Sequence, residues 1–212
     1  RHITGIKQLD SLSKAKYLSE LREIFYSGLE LEDQLAKLAK DISSTKSYVG
    51  QLLTALGIFE KAKDSNFLNS HVTVQEVEFS LITTALSYSA IVSWLGLQSR
   101  TDVESNGLET NNAKSLFLWM FKRDQNDTTI LGESRNLKQL AKIVQVPAAE
   151  AHLKSTSDRA QAFLYTDGPI EALNNAMKIA EQNLLFVWNM ILQTSQLDSQ
   201  HQALADILFD KS

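Results

Sequence analysis

The chain has 212 residues, 43% of them hydrophobic and 22% charged, with a net charge of −4 at neutral pH. These proportions exclude a disordered tail or a fibrous repeat and leave room for one generous core or two small ones. The acidic balance argues against coating nucleic acid by bulk electrostatics, and the lack of any cysteine excludes disulfides, thiolate nucleophiles and cysteine-ligated metals.

Only two prolines and eight glycines punctuate a chain rich in helix formers, which predicts an all-α fold. Ser11 to Tyr26 reads as a first helix, with Ser11 or Ser13 as N-cap and Leu12, Ala15, Leu18, Leu21 and Ile24 at helical spacing. A second helix begins near Glu30 and carries Leu35, Leu38 and Ala39 until the polar run Ser43, Ser44, Thr45. A third places Tyr48, Val49, Leu52, Leu53 and Leu56 on one face. After the polar patch Asp64 to Asn69, Thr73 and Glu76 form a capping box that opens a fourth, largely buried helix to about Leu97. Gln98 to Asn112 is the best linker candidate.

Helices are expected again over Asn112 to Lys122 and from Ser134 to Val144. Pro147 suits the first position of the next, which runs to Lys154. Another spans Ser157 to Tyr165, the turn Asp167, Gly168, Pro169 breaks it, and Ile170 to Leu192 makes a long amphipath of unusually wide apolar surface. A last helix lies within Asp198 to Phe209. No stretch has the roughly 20 apolar residues needed to cross a bilayer. The chain opens on Arg1 without a basic-then-apolar leader, so a cytoplasmic fragment or processed product, with a domain upstream, is expected.

The one constellation with specific chemistry is Leu38 to Leu56, LAKDISSTKSYVGQLLTAL, which has the arrangement of a helix-turn-helix. Ala39 is small where two helices would cross, Ile42, Val49 and Leu52 would be buried between them, and Ser43 holds the turn position that glycine often takes. Ser44 can cap the second helix. Its first turns would enter the major groove, making Thr45, Lys46, Ser47, Gly50 and Gln51 the contacts. Lysine reaches guanine acceptors or phosphate, and glutamine pairs bidentately with adenine. Gly50 would let the helix backbone approach the duplex, Thr54 would touch backbone or solvent, and Lys37 and Lys40, with Lys14 and Lys16, would hold phosphates. Residues 1–64 carry ten Lys or Arg against nine Asp or Glu, so the acidic excess lies wholly in the remainder.

At these residues the sequence resembles the central DNA-binding domain of the ParB family of partition proteins, with Leu12 to Phe25 in the place of the preceding helix and about residues 9–62 covered. A second stretch, ILGESRNLKQLAKIV from Ile130 to Val144, is similar to a segment found downstream in ParB-like proteins. The resemblance implies sequence-specific binding of double-stranded DNA in plasmid or chromosome partition, as a homodimer, with a partition ATPase engaged through an upstream region. The family's N-terminal nucleotide-binding, clamp-forming domain has no counterpart here, so CTP chemistry is not implied for this chain. A transcriptional repressor of a mobile element and a helical interaction scaffold remain as alternatives.

The other polar groups read as structural. His2, His71, His152 and His201 lack metal-ligand spacing, and Asp102, Glu104, Asp124 and Asp127 lack that of a calcium loop. Glu133 and Arg135 suit a loop or cap, and Trp94, Trp119 and Trp188 are expected as core anchors. No catalytic motif, metal or cofactor is expected. The predicted organisation is a DNA-binding helix-turn-helix domain over residues 1–64 and a helical assembly or partner-binding region over 70–212.

Overall fold

The computed structural model describes residues 9–64, 72–167, 169–194 and 198–210. The protein is all-α; among these residues there are eleven α-helices, and the only β pairing is an isolated bridge between Arg123 and Thr129. His2, His71, Gly168 and most of the 64–69 polar patch lie outside the described residues. The chain divides into two units, Arg1–Thr166 and Asp167–Ser212. A single cluster of buried side chains runs from Ala15 to Ala162, with members on both sides of the division expected near residues 64–70.

In the first unit, α1 (Ser11–Phe25) and α2 (Leu31–Asp41) pack on α3 (Lys46–Asp64). The N-cap of α1 is Asp10, not a serine, its carboxylate accepting from Leu12 N and Ser13 N at 3.0 Å each. Arg22 ties three segments together. It donates to Gln34 Oε1 at 2.5 Å and to Glu104 Oε1 at 2.7 Å, while Gln34 Nε2 donates to Leu29 O at 2.7 Å.

The single helix predicted for residues 73–97 is instead a 3-10 turn, Val74–Glu76, followed by α4 (Phe79–Ala85) and α5 (Ser89–Trp94). The capping box at Thr73 and Glu76 does form. Val77, Glu78 and Tyr88 then adopt extended backbone, at the two breaks. Both Thr83 Oγ1 and Thr84 Oγ1 donate back to Ser80 O, a bonding mode that competes with regular helix and bends it. Phe79, Ile82, Leu86, Ile91 and Leu95 are all buried in the core, while Thr84, Ser87, Ser89 and Ser93 are exposed.

The expected linker at 98–112 is a packed loop as far as Glu109, after which the chain is helical. Leu97, Val103 and Ser105 are buried, and Asp102 pins the loop by accepting from Gln98 N and Ser105 N. Gly96, at φ +76°, and Gly107 approach so closely that a Cβ on Gly96 would lie 2.2 Å from Gly107 O.

Beyond it come α6 (Thr110–Phe121), α7 (Leu137–Ile143), α8 (Pro147–Thr156) and α9 (Arg159–Leu164). Pro147 takes the first turn of α8. Trp119 is buried and stacks on Trp94 with ring centroids 5.5 Å apart, and Trp94 Nε1 donates to Glu150 Oε1 at 2.9 Å, which satisfies the indole.

The second unit holds α10 (Pro169–Gln193) and α11 (Ser199–Asp210). Trp188, expected in a core, is 63% exposed there. No helix among the described residues is long and apolar enough to cross a membrane.

Candidate nucleic-acid interface

The turn between α2 and α3 follows from local hydrogen bonding. Helix α2 ends at Asp41 with Ile42 as its C-cap, after which Ser43 takes a left-handed φ of 51°. Ser43 N donates to Lys40 O at 3.2 Å and Ser44 N to Ala39 O at 2.8 Å. That pair of bonds is a Schellman motif with serine where glycine is usual, so two otherwise orphaned carbonyls are satisfied at the cost of strain at one residue. The cap of α3 falls to Thr45 rather than Ser44: Tyr48 N donates to Thr45 Oγ1 at 3.2 Å. Ala39 and Val49 are buried where α2 and α3 meet, and Ile42 and Leu52 join them in the core.

Of the predicted contacts, Ser44, Thr45 and Lys46 are exposed around the start of α3, Ser47 is half-buried, and Lys37 and Lys40 are exposed on α2. Lys46 pairs with Glu32, and Lys14 Nζ sits 5.9 Å from the centre of the Tyr48 ring. The Lys46 pair is itself exposed, so a competing anion displaces it at a cost of at most about 1 kcal/mol. Side-chain hydroxyls, backbone N–H groups at a helix start and flanking lysines together form an anion-attracting surface.

The other predicted contacts point inward. Gly50 is buried, and a Cβ built on it would lie 2.7 Å from Thr101 Cβ and Cγ2. The missing side chain therefore admits the 98–105 loop to the helix, not a duplex. Gln51 is half-buried, its Nε2 donating to Thr83 O at 2.5 Å and Ser87 Oγ at 3.0 Å. Thr54, expected near solvent, is fully buried, and its Oγ1 has no hydrogen-bond partner. Helix α3 is buried on most sides from Val49 to Phe59.

That same packing brings residues to the site that sequence reading missed. Thr101 sits on Gly50, which places the exposed Ser99 and Arg100 beside the first turns of α3, while Ser87, exposed, meets Gln51. Arg100 forms no ion pair among the described residues. No local signal in the sequence could have found it, since it is the adjoining Thr101 that meets α3, at Gly50, some fifty positions away in the chain.

The remaining polar groups are accounted for structurally. Asp124 accepts from Asn126 N and Thr128 N, which holds its carboxyl below the usual range, chiefly through the Thr128 bond. Glu133 pairs with Arg135 at 2.7 Å and Asp127 with Arg123 at 3.1 Å. His152 stacks on Tyr165, and His201 bonds Asp198. No group of three or more metal-ligating residues occurs among the described residues. Compared with family models, curated proteins and solved structures, the chain matches none.

Proposed function

We propose that the first unit binds duplex DNA through the surface around the first turn of α3, in a ParB-like partition or regulatory role. The observation that carries this reading is the Schellman turn at Ser43, which sets Ser44, Thr45 and Lys46 in solvent at a helix N-terminus beside Lys37 and Lys40. Gly50 and Gln51 drop out as base contacts because loop and helix atoms occupy their surroundings, so phosphate and groove contacts come from the α3 N-terminus, Lys40 and Arg100. Fluorescence anisotropy on the full chain tests this across a salt series. Binding whose affinity falls steeply with salt is expected, and replacing Lys40 and Lys46 with Ala should lower the salt slope by about one per lost phosphate contact. A folded double variant with unchanged affinity and slope refutes the interface.

A second reading, a helical interaction scaffold, is favoured by the depth at which α3 lies within the unit. It predicts no salt-dependent affinity for duplex DNA of any sequence.

A further inference from the structure

Arg159, the first residue of α9, carries a half-buried guanidinium whose hydrogen-bond partners among the described residues are all neutral oxygens. Its Nε donates to Ile130 O at 3.4 Å and its Nη1 to Gln139 Oε1. These bonds fix the guanidinium plane and leave Nη2 without an acceptor among the described residues. Arg159 lines a cleft of about 560 Å³, between the loop that follows α6 and the junction of α8 with α9. That volume falls within the roughly 300–1,000 Å³ of small-molecule sites. Lys122 lines the same cleft, is exposed, and forms no ion pair among the described residues. The acids that share the cleft pair with neither cation. Asp124 spends its carboxylate on Asn126 N, Thr128 N and Thr128 Oγ1, and Asp158 Oδ1 accepts from Gln161 N at 2.9 Å. Arg123, also on the wall, is already held by Asp127 at 3.1 Å. Thr129 Oγ1 accepts from Gly132 N at 3.0 Å, so its own proton is left for an acceptor in the cleft.

We infer that this cleft binds a small organic phosphate monoester, its phosphate held by Arg159 and Lys122 and its organic body in the remaining volume. A partly desolvated guanidinium without a counter-anion is costly, and its planar fork matches the oxygens of a carboxylate or a phosphate. Two unpaired cations and a hydroxyl donor exceed what a single carboxylate uses. They match a phosphate monoester, which carries a charge of about −1.5 to −2 at neutral pH. The inference does not rest on DNA binding by α3, and every residue lining the cleft belongs to the first unit.

Phenyl phosphate is the probe, titrated into the full chain at constant ionic strength and followed by calorimetry and by amide NMR shifts. Saturable binding is expected, with the shifts gathered at Thr129, Gly132 and Ser157. Lys122→Gln, at an exposed position, should weaken it about tenfold, the scale of one charge-assisted hydrogen bond. Arg159→Lys keeps the charge without the fork and should weaken it at least as much. The double variant Lys40→Ala, Lys46→Ala should bind phenyl phosphate as the unaltered chain does, which separates the cleft from the surface of α3. Benzoate, with a carboxylate, and dimethyl phosphate, a diester of single charge, should both bind more weakly. The inference is overturned if phenyl phosphate does not bind, or if Lys122→Gln and Arg159→Lys leave its affinity unchanged. It is equally overturned if binding is lost with Lys40 and Lys46, or if benzoate or dimethyl phosphate binds as tightly.

Discussion

Replacing Gly50 with Ala decides which way the middle of α3 faces. In a solvent-facing helix the change stabilises by about 1 kcal/mol, because glycine loses more backbone freedom on folding. Here the new Cβ meets Thr101 Cβ and Cγ2 at 2.7 Å and Thr101 Cα at 3.3 Å, contacts too short to keep. Thr101 cannot simply rotate away, because the atom in the way is its Cβ and its loop is anchored by Asp102 and the buried Val103. Overpacking of this kind costs about 1–3 kcal/mol. The clash outweighs the propensity gain, and Gly50→Ala should destabilise by about 1 kcal/mol, a fall of about 2–4 °C in melting temperature for a unit of this size. Adding Thr101→Gly removes the obstructing atoms, so the double-mutant cycle should show a favourable coupling of about 1–2 kcal/mol. Calorimetry or urea denaturation of the four proteins measures this. If Gly50→Ala alone raises the melting temperature, Thr101 does not cover the helix and Gly50 is free for a ligand after all.

Ser43→Gly should raise stability by up to about 1 kcal/mol, since a φ of 51° burdens serine and not glycine; an unchanged or lowered midpoint in denaturant would mean the turn is not left-handed. Acid should weaken the first unit through its capping carboxylates. Asp10, bonded chiefly by Ser13, and Glu76, bonded chiefly by Thr73, are held below their ordinary values of 3.8 and 4.5. Their folded forms favour the ionised state, so the stabilisation is present above those values and drains away as pH falls through them toward the lower folded ones. Melting temperature followed from neutral pH into acid should fall there, and Asp10→Asn should flatten part of the fall; an unaltered profile would remove Asp10 as a contributor.

What the sequence settled by itself was local. The capping box at Thr73 and Glu76, Pro147 in the first turn of α8, and the α2 to α3 turn at Ser43 are all legible, because each depends on residues within a few positions of one another. The helical periodicity of α1 to α3 is legible for the same reason, and it sufficed to place Ala39 and Val49 inside. Periodicity says that a face is apolar, however, and not what covers it. Gly50 and Gln51 read as groove contacts until α4 and the 98–105 loop came to lie on them, and Arg100 entered the site by the same movement of the fold. The long helix predicted from Thr73 is interrupted where Val77, Glu78 and Tyr88 adopt extended backbone, and the apolar residues on either side of the breaks are buried among neighbours that periodicity does not reveal. Trp188 and Trp119 sit in equally apolar stretches of sequence, yet one is buried and the other exposed, because burial is set by neighbours that arrive from distant parts of the chain.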